Sequence, residues 1–126
     1  MLKTLRYVLN VQDFDATVRF WTAGMGLPLI GGWDRGADDC GALVEVTPGA
    51  VIEVVGHGPA GIAVDYREQA IAIELGEMQE VDAVRERLVG LGIAVSSPMV
   101  QPWGHYSATV RDPNHLEVVL YCQLPT

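Results

Sequence analysis

Pro102-Trp103-Gly104-His105-Tyr106-Ser107-Ala108-Thr109-Val110-Arg111-Asp112-Pro113-Asn114-His115-Leu116-Glu117-Val118-Val119-Leu120-Tyr121 reads as two strands joined by a tight turn. His105 to Arg111 and Leu116 to Cys122 are rich in Val, Thr, Leu and Tyr, which fit a pleated, half-buried surface. Between them, Asp112-Pro113-Asn114-His115 is turn chemistry: proline presets φ, and Asp and Asn bond their own backbone. At the entrance, Pro102-Trp103-Gly104 puts a large aromatic on a bend. Trp103 has two readings there, a flat wall for a ligand or a packed edge.

Upstream, Ala70 to Leu75 alternates, with Ile71, Ile73 and Leu75 against Ala70, Ala72 and Glu74. Val81, Val84, Leu88 and Leu91 recur at helical spacing, and Gly90 and Gly92 close that helix. Ile93 to Val95 is expected to be a strand, followed by Ser96-Ser97-Pro98. The order is β-α-β-β-β.

The first half has the same order. Leu5, Tyr7, Leu9 and Val11 alternate with Thr4, Arg6, Val8 and Asn10 in a strand from Leu2 to Val11. Asp13 or Asp15 caps a helix carrying Phe14, Val18, Trp21 and Met25, ended by Gly24 and Gly26. Pro28 to Trp33 is a short strand, and Asp34 to Asp39 an exposed polar loop. Cys40 to Val46 and Ala50 to Val55 are strands around the turn Thr47-Pro48-Gly49. An offset of 64 lays Arg6 on Ala70. Two extra residues in the second helix raise it to 66, which lays Val18-Arg19 on Val84-Arg85 and Val51-Ile52-Glu53-Val54 on Glu117-Val118-Val119-Leu120.

The expected fold class is therefore α+β, one domain over 1–126 built from two tandem βαβββ modules, 1–56 and 69–126. Residues 57–68 form the linker, with His57-Gly58-Pro59-Ala60-Gly61 at its start and Ile62-Ala63-Val64 placed to pack at an edge. Each module is a curved mixed sheet covered by one helix. Two modules must pack, within a chain or across chains, to complete a core, and their concave faces form a groove where ligands are expected.

A chain of 126 residues with 49% hydrophobic and 19% charged residues is an ordinary globular composition. A net charge of −8 argues against nucleic acid, which needs a basic footprint. It is compatible with a cationic or neutral ligand, or with solubility alone. Cys40 and Cys122 sit in separate apolar runs and read as buried thiols in a reducing compartment. With no leader before the first strand and no apolar run near the length of a membrane span, the expected location is the cytoplasm.

Taken together, these features resemble the vicinal oxygen chelate superfamily, which holds glyoxalase I, extradiol dioxygenases, fosfomycin-modifying enzymes and bleomycin-resistance binding proteins. The resemblance rests on strand-Asp13-helix-Phe20-Trp21 followed by Gly24-Met25-Gly26-Leu27, on Pro102-Trp103-Gly104, and on Asp112-Pro113-Asn114-His115, and covers nearly the whole chain. It implies a divalent metal held by one inward residue from the first and fourth strand of each module. Those positions carry Arg6, Glu53, Ala70 and Val119. Only Glu53 keeps a ligand. Arg has no lone pair to offer, Ala and Val offer nothing, and one carboxylate does not hold a catalytic divalent ion. His57, His105 and His115 show no metal-ligand spacing. Neither a metal nor another cofactor is expected, and the closest character is that of the metal-free binding proteins.

Arg6 and Glu53 converge in this fold, either as a salt bridge on the groove floor or facing a ligand's polar group. The same parity places Val8, Asn10, Val51, Val55, Ala72, Glu74, Glu117 and Tyr121 on the groove side, with Trp33, Trp103, Tyr106 and Tyr121 as nearby aromatics. The expected ligand-binding residues are Arg6, Asn10, Trp33, Glu53, Trp103, His105 and Tyr121, with no catalytic residue assigned. The expected activity is metal-independent binding of a small planar or cationic organic molecule, an antibiotic or secondary metabolite, in a groove at the interface of a homodimer. The alternative is a metal-free isomerase, lyase or hydrolase using His105 or Glu53 as acid or base.

Overall fold

The structure, a computed structural model, describes residues 1–58 and 64–126. The chain divides into two compact units, Met1–Val64 and Asp65–Thr126. Of the expected linker, Pro59-Ala60-Gly61 and the edge residues Ile62 and Ala63 lie outside the described residues. Val64 does meet an edge, its N–H donating to the carbonyl of Asn10.

The first unit contains β1 (Leu5–Val11), α1 (Phe14–Arg19), a π-helical turn (Phe20–Gly24), β2 (Leu29–Asp34), β3 (Cys40–Thr47) and β4 (Ala50–Gly56). Its sheet runs β1-β4-β3-β2, with β1 parallel to β4 and the other pairs antiparallel. Asp13 caps α1, its carboxylate accepting from the Ala16 N–H at 3.0 Å. The expected single helix to Met25 is instead six α-helical residues and then a wider turn. The Thr22 hydroxyl donates to the Val18 carbonyl at 2.6 Å, competing for the acceptor of the helical ladder, and Met25 N–H bonds back to Phe20. Leu9, Val11, Ala42, Val44, Ile52 and Val54 are buried on one sheet face, with Phe20 and Trp21 also in the core.

The second unit contains β5 (Ala70–Glu74), α2 (Met78–Gly90), β6 (Met99–Val100), β7 (His105–Arg111) and β8 (Glu117–Gln123), in the sheet order β5-β8-β7-β6. Val81, Val84 and Leu88 of α2 are buried, as are Ala108, Val110, Val118 and Leu120. A buried Leu or Val contributes about 1.5–3 kcal/mol relative to exposure. α2 ends in a paired cap: Ile93 N–H bonds to Leu88 O and Gly92 N–H to Val89 O, with Gly92 at φ +81°.

The expected strand Ile93–Val95 is not formed. Val95 makes one isolated bridge to Val110, and the ladder strand is Met99–Val100. The Ser96 hydroxyl accepts the Thr109 N–H at 2.8 Å, so a side chain takes the place of a ladder carbonyl. The turn at 112–115 is as its residues dictate. Asp112, 3% exposed, accepts from Asn114 N–H and Leu116 N–H, and His115 takes the left-handed conformation at φ +72°.

The internal repeat extends to register. Arg6 faces Val51 and Val8 faces Glu53 in β1–β4; Ala70 faces Glu117 and Ala72 faces Val119 in β5–β8. The fourth-strand members of these pairs are all 66 residues apart, and the first-strand members 64.

Candidate functional site

In the first unit the buried residues define the helix-side face, so the opposite parity lies on the other face. Register carries this across the sheet: Asn10, Val55, Gly41 and Trp33 form one row, and Val8, Glu53, Leu43 and Gly31 the next. Arg6 lies one step further, facing Val51. The Arg6 guanidinium donates to Glu53 diagonally, Nη1 to Oε1 at 2.9 Å. Arg6 is half exposed and Glu53 only 18% exposed, so the pair joins a solvent-facing cation to a sheltered carboxylate. Val51, expected on the groove side, is buried at 6%.

Trp33 is fixed from two directions. Its indole N–H donates to Asp39 Oδ1 at 2.9 Å, and its ring lies so close over Gly41 that a Cβ there would meet it. Arg35 donates to both oxygens of the same carboxylate, at 2.7 and 3.2 Å. These bonds, Arg35 first and Trp33 second, hold the Asp39 carboxyl below its ordinary value. At the end of the same row, His57 Nε2 lies 2.7 Å from Asn10 Oδ1 and donates to it. His57, assigned from sequence to the linker, therefore braces an expected ligand-binding residue.

In the second unit the helix-side face carries Val118, Leu120 and Cys122, leaving Glu117, Val119 and Tyr121 on the other face. Tyr121 faces Glu74 on β5 and Ser107 on β7. Its hydroxyl donates to Glu74 Oε1 at 3.1 Å. Its ring stacks on His105, and Trp103 meets His105 edge-on, indole N–H to Nδ1 at 3.1 Å. The result is a continuous chain Trp103–His105–Tyr121–Glu74 across three elements. Trp103, 68% exposed, is its open end. An indole N–H only donates, so Nδ1 of His105 is an acceptor and the neutral ring carries its proton on Nε2. The bond to Glu74 pushes the Tyr121 phenol above its ordinary value, with burial next in effect.

All seven sequence-expected residues therefore have defined places: Arg6 with Glu53, Asn10 in one row with Trp33, and Trp103 with His105 and Tyr121. The first four belong to one unit and the last three to the other. Tyr106 does not join the aromatics; it faces α2 and donates to Asp82 at 2.6 Å. Sequence reasoning left out His57, Asp39 and the part played by Glu74. Alternation had already set Glu74 on the Tyr121 face, but loop partners such as Asp39 follow no period.

The positions implied for a metal do not fit one. Glu53 is engaged by Arg6, and Ala70 and Val119 have no donor atom. Among the described residues no group of three or more His, Cys, Asp or Glu side chains is gathered for an ion. His115 instead pairs with Asp65, Nδ1 to Oδ1 at 3.1 Å.

Comparison with known proteins agrees with the architecture. A family model described as the Glyoxalase/Bleomycin resistance protein/Dioxygenase superfamily matches residues 3–120. Among solved structures, a glyoxylase/bleomycin resistance protein/dioxygenase domain from Frankia sp. EAN1pec is similar with a TM-score of 0.78 and 19% identity, covering 98% of each chain. TnmS3, an antibiotic binding protein from Streptomyces sp. CB03234, is similar with a TM-score of 0.73 and 20% identity, over 98% of this chain and 97% of its own. A lactoylglutathione lyase from Agrobacterium tumefaciens gives 0.67 and 19%, over 94% and 91%. No curated protein matches. At these identities the structural likeness speaks for the fold, which a binding protein and a lyase share.

Proposed function

The chain belongs to the glyoxalase/bleomycin resistance protein/dioxygenase superfamily, and from that premise we propose that it binds a small organic molecule without a metal. The observation that carries this reading is the chain Trp103–His105–Tyr121–Glu74. It offers flat aromatic surface ending in a carboxylate, which suits a planar guest, and a cationic group on that guest finds Glu74 and a net charge of −8. An antibiotic or secondary metabolite is the ligand class, and sequestration is the activity. The antibiotic-binding relative is in keeping with that choice.

Neither residue of the enzymatic alternative is set for acid–base work. His105 spends Nδ1 on Trp103 and presents a donor rather than a basic nitrogen, and Glu53 is engaged by Arg6. A homodimer is part of the proposal, supported by exposed Leu5, Val8, Leu29 and Ile30. Free Cys40 and Cys122 are in keeping with a cytoplasmic protein, and among the described residues no helix is long and apolar enough to cross a membrane.

The test is a titration of tryptophan fluorescence with planar cationic antibiotics, followed by mass analysis of the recovered ligand. Saturation at one ligand per subunit with the ligand unchanged is expected. Turnover of the ligand, or a chelator-sensitive activity, would overturn the proposal. Light scattering reads the oligomeric state on the same sample.

A further inference from the structure

The first unit holds a cleft of ≈ 650 Å³ between α1 and the strands β2 and β3. Phe14 and Val18 line it from the helix, and Leu29, Cys40 and Ala42 from the sheet. Cys40, Ala42 and Val44 share the face that α1 covers, and Trp33 and Gly41, the β2–β3 end of the row that begins at Asn10, complete the lining at the sheet edge. Its volume lies within the range of small-molecule pockets.

The repeat shows what such a space accepts. Cys40 faces Gly56 in β3–β4, and 66 residues on Tyr106 faces Cys122 in β7–β8. In the second unit the Tyr106 ring fills the place between sheet and helix, and its hydroxyl reaches Asp82 of α2 at 2.6 Å. In the first unit two smaller residues stand in that register. Phe14 covers Gly56, coming within 3.1 Å of a Cβ placed there, yet the cleft beside Cys40 remains. Its polar lining is Asp15 on α1 and Asp34 on β2, with no Lys or Arg among the described lining residues. Both carboxylates act on the Cys40 thiol, which burial first and then Asp34 and Asp15 push above its ordinary value.

We propose that this cleft is a second ligand site, taking one aromatic ring that carries a cationic amine. The ring takes the space that Tyr106 fills in the other unit, and the amine meets Asp15 and Asp34. The carboxylates select charge, and the small residues of β2 and β3 make room for the ring. This site is independent of the Trp103 chain, and its test reads it separately.

Titration of ¹⁵N-labelled full-length protein with 2-phenylethylamine is expected to shift the amide resonances of Val18, Gly32 and Ala42 saturably at millimolar concentration. The matched anion 3-phenylpropionate is expected to bind at least about tenfold more weakly. Cys40→Tyr, which restores the residue of the other unit, is expected to remove those shifts. Asp15→Asn is expected to weaken the amine roughly three- to tenfold and leave the uncharged ring analogue toluene unaffected. No saturable shift at these residues, equal binding of amine and anion, or undiminished binding in a folded Cys40→Tyr variant would each overturn the proposal. If Cys40→Tyr does not fold, Asp15→Asn decides it, and unchanged amine affinity there also overturns it.

Discussion

The imidazole of His105 lies 4.5 Å from the ring of Tyr121 at an interplanar angle of 21°, on neighbouring strands. The two residues are diagonal in the ladder, since His105 faces Gln123 and Tyr121 faces Ser107. Each ring is also held at its far side, His105 by the Trp103 indole and Tyr121 by Glu74. A surface preorganised in this way loses little freedom when a flat ligand settles on it.

Trp103 is the exposed end of that surface. Trp103→Ala is expected to weaken ligand binding by about 1–3 kcal/mol, the scale of an aromatic stacking contact. Calorimetric titration against the ligand identified by fluorescence measures it. An unaltered affinity removes Trp103 from the site.

Tyr121 should ionise late. Its phenol is raised above 10.0 by the bond to Glu74, so the folded state holds the proton more tightly than the unfolded chain. The resulting stabilisation is fully present below pH 10 and is lost as pH rises through the higher, folded value. Absorbance at 295 nm follows the titration. Glu74→Gln is expected to bring the step back down; a step that does not move would show that Glu74 is not the cause.

The Asp39 carboxyl behaves in the opposite sense. Arg35 and Trp33 lower it from 3.8, so its contribution is present above that value and is lost as pH falls through the folded one. The indole N–H resonance of Trp33, which donates to Asp39, is expected to move with a midpoint below 3.8. In Arg35→Ala the midpoint is expected to rise. Identical midpoints in the two proteins would rule out the Arg35 effect.

Gly41 is required by Trp33 rather than by its own backbone. Gly41→Ala puts a methyl group into the indole, and is expected to displace the ring, break its bond to Asp39 and destabilise the unit by about 1–3 kcal/mol. Loss of the Trp33 indole peak from its native position, together with a lower denaturation midpoint, is the expected result. A native indole peak in the variant counts against the close packing.

The architecture was legible because it is written in periods. Alternation separated Leu9, Ile52, Val118 and Leu120 from Arg6, Glu53 and Tyr121, and the turn at 112–115 is set by its own side chains. The Arg6–Glu53 pair followed from the same parity. What was not legible lacks a period. Ile93–Val95 looks like a strand, but Ser96 diverts the ladder at Thr109. Tyr106 is not a groove aromatic, because it pairs with Cys122 on the helix-side parity, opposite to Tyr121, and reaches Asp82 of α2. His57 and Asp39 are brought to Asn10 and Trp33 by loop geometry, which composition does not encode.

One consequence concerns how this fold accepts changes of length. From Arg6 to Val51 is 45 residues and from Ala70 to Glu117 is 47, yet both pairs sit at the same rung of their sheets. The two surplus residues were absorbed inside the helix, between Met78 and Val84, since Phe14 and Met78 open their helices 64 residues apart, and no rung was lost. The molecule thus carries its own record of a tolerated insertion. The helical leg is where this fold takes up extra residues, whereas one residue added inside β4 or β8 would turn an entire face inside out.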